Sequence, residues 1–281
     1  MHAPYEAPEG YSGRFRGVAA EAQARYLERV GVQRTYVPEV NGEQQATSLD
    51  HDEYDAEIRF VDDQLRRLWA GLEELGLAEE LLLVVSSDHG EGLWQHESKG
   101  HGTIWLETLH GPLIVRVPGS EPGRVEDPLE MRDVLPTALA LDSRLGSVLA
   151  DWLATRTGRD AFAPREATEP LLSQLPMRRR GMTYALQEGD WRLIATKRYT
   201  RGLYDLAADP HELRSVHDRE PERVARMRST LEALVEEQEA LGKSLGAAGA
   251  RPMEAGRVRA LQELGYGGAD AAEAEEAERD D

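Results

Sequence analysis

The chain has 281 residues, 40% of them hydrophobic, and sets 52 Asp and Glu against 33 Lys and Arg for a formal net charge of -19. That is enough chain to bury a core, and the charge repels nucleic acid and anionic membrane surfaces at long range, so an anionic substrate must be attracted by cations placed locally. With no cysteine, disulfides, thiolate metal sites and cysteine nucleophiles are excluded within these residues.

Residues 1–50 are punctuated by Pro, Gly and Tyr and read as surface loop around one short helix near 18–30. The start, Met1-His2-Ala3-Pro4-Tyr5, shows no signal-peptide pattern, and no stretch reaches the roughly 20 apolar residues that span a bilayer, so the localisation is unknown and no membrane partner is expected. Asp50-His51-Asp52-Glu53 forms an acidic helix entrance. Behind it Ile58, Val61, Leu65, Leu68, Trp69, Leu72 and Leu75 recur at helical spacing until Gly76. The run 81–85 is wholly apolar and suits a strand buried on both faces of a parallel sheet; 113–117 reads as a second core strand and 130–141 as a helix. Helix, strand, polar loop, strand, helix is an α/β pattern, here with a mostly parallel sheet flanked by helices. Residues 151–180 accumulate Pro, Arg and Thr and read as a linker. Strands at 183–187 and 191–196 flank Glu188-Gly189-Asp190, a third follows near 203–206, and a helix covers about 221–241, making a small α+β subdomain at 181–245. The tail, 246–281, ends in acids and is expected to be disordered.

Asp88 and His89 fall where the strand at 81–85 opens into a loop, the position at which open α/β sheets bind ligands. A carboxylate beside an imidazole can share a divalent cation, the one giving a hard oxygen and the other a nitrogen. The same loop carries Glu91, His96, Lys99 and His101, more acid–base groups than a solvated loop needs.

Tyr54-Asp55-Ala56-Glu57-Ile58, Val61-Asp62, Ser87-Asp88-His89-Gly90-Glu91, His96, His101-Gly102 and Pro112-Leu113-Ile114 together resemble the central block of the sulfatase family, in order and in spacing. The resemblance continues through Asp133, Pro136-Thr137, Leu203-Tyr204-Asp205-Leu206, Asp209-Pro210, Glu212 and Leu264-Gly265-Tyr266, so nearly the whole chain is covered. It implies an alkaline phosphatase-like α/β fold truncated at the N-terminus, with residues 1–150 as the C-terminal part of the sulfatase domain, and a metal-dependent sulfuric ester hydrolase acting on a small-molecule or glycan sulfate ester. Carried over, Asp88 and His89 would hold the divalent metal ion, calcium in most of the family, although the nitrogen ligand suits manganese, zinc or iron, and magnesium stays open as well. His2, which precedes a short Pro-containing loop, would contact the ester; His101, with Lys99 as the runner-up, would hold the sulfate.

The family's nucleophile lies in a C/S-x-P-x-R signature with paired acids upstream. The one segment here that fits its letters, Ser120-Glu121-Pro122-Gly123-Arg124, lies after the strand at 113–117 and therefore on the wrong side of Asp88. The expectation is accordingly a fragment, inactive alone, whose missing N-terminal portion or partner chain supplies the nucleophile. Hydrolysis of phosphate or phosphonate esters within the same superfamily, and a non-catalytic binding protein on a degenerate sulfatase half, are the alternatives.

Overall fold

The computed structural model describes residues 5–15, 39–40, 43–44, 47–93, 95–96, 99–141, 158–160, 162, 169–177 and 181–244. Two short strands, β1 (Glu39–Val40) and β2 (Glu43–Gln44), pair antiparallel ahead of a 28-residue helix, α1 (Thr47–Glu74). Gly76 stops α1 as the sequence predicts. At φ 70° it takes the left-handed conformation, and the Gly76 and Leu77 N–H groups return to Glu73 O and Leu72 O, which satisfies carbonyls the helix end leaves open. Strand β3 (Leu83–Ser86) then runs up to the Asp88 loop. Within that loop β4 (Gly92–Leu93) pairs with β5 (Lys99–Gly100), and the short helix α2 (Leu106–Leu109) leads to β6 (Leu113–Arg116) and helix α3 (Met131–Leu141).

The expected parallel sheet is corrected here: β3 pairs antiparallel with β6, Leu83 opposite Arg116, and every strand pairing among the described residues is antiparallel. A short apolar run reports burial and is silent on the direction of its neighbour. The second half of the protein is an antiparallel sheet in the order β10-β9-β8-β7, built from β7 (Leu171–Met177), β8 (Gly181–Glu188), β9 (Trp191–Thr196) and β10 (Thr200–Asp205). Strand β7 occupies part of the stretch read as a linker. Its Pro176 masked it in the sequence, yet β7 is an edge strand, where a residue without an N–H is tolerated. Residues 246–281 lie outside the described residues.

Both faces of this sheet are covered. On one, Met227, Leu231 and Val235 of α4 (Pro221–Ser244), spaced at i, i+4 and i+8, pack on Tyr184, Leu186, Leu193, Ala195 and Leu203. On the other, Ala185, Ile194 and Tyr204 pack on Ile104 and Trp105 from the loop that precedes α2. The second contact matters for the site, because it joins the C-terminal sheet to the segment beside Asp88. By contrast, α1 keeps Ile58, Val61 and Leu68 exposed, and Ile114 of β6 is 61% exposed. No helix among the described residues is long and apolar enough to cross a membrane.

Candidate metal and anion cleft

Strand β3 ends at Ser86 and delivers Asp88 and His89 to its tip. The turn is held by Gly90, whose N–H donates to Thr108 O at 2.9 Å and whose Cα lies so close to α2 that an added Cβ would stand 2.1 Å from Glu107 O. Asp88 is 73% exposed, and its Oδ1 accepts the His89 N–H at 3.1 Å. His89 Nδ1 lies 2.7 Å from Gly90 O. A carbonyl only accepts, so Nδ1 carries a proton, and the tautomer this selects is the one with its lone pair at Nε2. That atom is 3.7 Å from Asp88 Oδ1. Two ligand atoms of one cation take about this separation when each bond is roughly 2.0–2.4 Å long, so the donor set and its tautomer fit half of a divalent-cation shell. Among the described residues no group of three or more His, Asp or Glu converges to complete one.

His101 stacks on His89, with ring centroids 4.2 Å apart and planes at 26°. Its Nδ1 is 3.5 Å from Oε1 of Glu91, whose side chain is 2% exposed. Neither Glu91 oxygen has a hydrogen-bond partner among the described residues, and the His101 imidazole is the basic group beside this buried carboxyl. The first turns of α1 form the next wall: His51 Nε2 donates to Leu93 O at 2.9 Å, and the Tyr54 phenol is raised above its usual pKa by burial and then by the charges of Glu91, Asp55 and Glu57. Burial also raises the Asp55 carboxyl, against the pull of His51.

Of the residues singled out in the sequence, Asp88, His89 and His101 are brought together. Lys99 has its backbone in β5, opposite Leu93, with its side chain outside the described residues, and His2 lies outside them too. Ser120 is in an exposed turn and donates its hydroxyl to Val117 O at 2.9 Å.

His96 does not face the cleft. It stacks on Trp105 at 3.9 Å and spans two acceptors, Glu107 Oε1 at 2.6 Å from Nδ1 and Glu212 O at 3.3 Å from Nε2, an arrangement that favours the doubly protonated ring. Its pKa is raised: burial alone would lower it, but the Glu107 carboxylate and then Glu212 outweigh that. Glu212 in turn pairs with Arg192, both side chains being buried. Burial raises the Glu212 carboxyl and pushes the Tyr204 phenol up to about 12. Arg192 escaped the sequence reading, although a lone arginine among Leu193, Ile194 and Ala195 was the available signal.

A sequence model of the sulfatase family matches residues 1–141. Human arylsulfatase K is 27% identical over 183 residues, covering 60% of this chain and 34% of that protein. Choline-sulfatase of Rhizobium meliloti is 28% identical over 170 residues, covering 57% and 31%. The chain thus spans about a third of the length of the curated relatives it matches. Among solved structures, the phosphonate monoester hydrolase of Agrobacterium radiobacter has the same fold at a TM-score of 0.59 and 21% identity, over 84% of this chain and 55% of that one.

Proposed function

Because the chain belongs to the sulfatase family, we propose that it supplies the metal-holding and anion-facing part of a hydrolase of sulfuric esters, with the sulfate ester of a small molecule or glycan as substrate. The observation that carries this reading is the meeting of Asp88 Oδ1 and His89 Nε2 at 3.7 Å with His101 stacked alongside. A divalent cation bound there would act as a Lewis acid on an ester oxygen. Asp88 and His89 would hold it; Gly90 O fixes the His89 tautomer, and His101, stacked on His89, would stand beside the bound anion. The arylsulfatase and choline-sulfatase relatives support the sulfate ester. A nitrogen ligand favours manganese, zinc or iron over calcium, so manganese is the probe of choice.

A second reading, hydrolysis of phosphate or phosphonate monoesters, uses the same groups and is supported at the level of fold by the Agrobacterium radiobacter enzyme. The test is a manganese titration followed by electron paramagnetic resonance on the wild type, Asp88→Ala and His89→Ala. Saturable binding that weakens more than about ten-fold in each variant is expected for direct ligands. Equal binding by all three proteins would remove the metal assignment. Competition by inorganic sulfate against inorganic phosphate, each in the presence of manganese, then separates the two readings.

A further inference from the structure

Arg192 and Glu212 face each other inside the protein, 2% and 0% exposed, on the sheet face that meets the cleft loop. Each reaches past its partner to the same short segment. Arg192 Nη2 donates to Ile104 O at 2.8 Å, and Glu212 Oε2 accepts the Leu106 N–H at 2.6 Å, while the Glu212 carbonyl takes Nε2 of His96. We infer that this pair is the positioning element of the cleft: by gripping residues 104–106 from the C-terminal sheet it sets α2, and α2 sets Gly90 and therefore His89. The inference rests on the reading of Asp88 and His89 as metal ligands given above.

A buried ion pair is a weak device for stability, since two apolar side chains of similar volume commonly serve as well or better. What the charged pair adds is geometry. The planar guanidinium fork holds a carboxylate and a carbonyl on two nitrogens in a fixed relative geometry, which the single rotatable nitrogen of lysine does not impose. Glu212 also has φ at 54°, in the left-handed region that a glutamate enters only where its surroundings over-determine it. Its side chain and carbonyl are both committed to residues 96–106.

The path onward is short. Thr108 O receives the Gly90 N–H, and Glu107 O leaves no space for a side chain at residue 90. A displacement of 104–109 therefore moves Gly90, whose own carbonyl fixes the His89 tautomer. His96, stacked on Trp105 and bonded to Glu107, runs parallel to this path and stiffens it.

The experiment uses the full 281-residue chain and compares the wild type with R192M/E212M, which removes both charges at nearly constant volume, and with R192K, which keeps the charge and loses the fork. Amide hydrogen exchange is followed residue by residue, alongside manganese affinity. The expected result is a loss of protection of about ten-fold or more at Gly90 and Leu106 in both variants, with protection at Leu193 and Leu231 within about two-fold of wild type. Manganese affinity should fall about five-fold or more, as for outer-shell partners of a metal site. Unchanged protection at Gly90 would overturn the inference, as would a uniform loss across the sheet, which would mark the pair as a stabiliser only. Should R192M/E212M not fold, R192K decides the question alone. Should the wild type bind no manganese, the metal reading fails, and the exchange pattern still decides whether the pair positions the loop.

Discussion

His96 Nδ1 lies 2.6 Å from Oε1 of Glu107, in a contact nearly closed to water, the His96 side chain being 9% exposed. The histidine pKa is raised above its ordinary value of 6.5. A raised folded-state value means that the protonated ring stabilises the fold fully below pH 6.5, and that this contribution is lost as the pH climbs through the raised value. Urea denaturation between pH 6 and pH 9 should therefore show stability falling with pH in the wild type and a flatter profile in His96→Gln. Identical slopes would mean that His96 is not the titrating group.

Removing one partner of the Arg192–Glu212 pair strands the other charge in the interior. Arg192→Met is expected to cost about 3–5 kcal/mol, whereas R192M/E212M should lie much nearer the wild type. The urea midpoints of the three proteins form the measurement, and a single variant no worse than the double would contradict the coupling.

Gly90 is required for space rather than for backbone angle. An alanine Cβ would lie 2.1 Å from the Glu107 carbonyl, so Gly90→Ala must push α2 aside and is expected to cost at least about 1–3 kcal/mol. Gly242, in the exposed end of α4, has nothing within 4 Å, and Gly242→Ala should be neutral or stabilising by up to about 1 kcal/mol. Thermal melts of the two variants give opposite signs if the local packing is as described.

Ser120 matches the letters of a nucleophile signature but spends its hydroxyl on Val117 O in an exposed turn beyond β6. The purified chain is expected to hydrolyse chromogenic sulfate and phosphate esters no faster than background with manganese, zinc or calcium added, and Ser120→Ala should change nothing, including stability to within about 0.5 kcal/mol. Turnover that disappears in Ser120→Ala would put the nucleophile in this chain after all.

The extent of α1, its stop at Gly76 and the placing of Asp88 and His89 at a strand tip were legible in the sequence, because periodicity, a left-handed glycine and adjacency along the chain are local properties. The order of phrases from Tyr54 to Pro112 was enough to indicate the family. What lay beyond reach was everything settled by partners distant along the chain. The apolar run at 81–85 suited a parallel sheet, yet β3 pairs antiparallel with β6, and the hairpin strands 183–187 and 191–196 are buried on both faces because α4 and the Ile104 loop cover their sheet. His96 counted among the acid–base groups of the loop beside Asp88, and the fold buries it between Glu107 and the carbonyl of Glu212, 116 residues away. Arg192 became intelligible only opposite Glu212, whose left-handed backbone no propensity forecasts. Local sequence fixes which groups stand at the tip of a strand, while the cost of burying an unpaired charge decides how distant segments must come together to hold them.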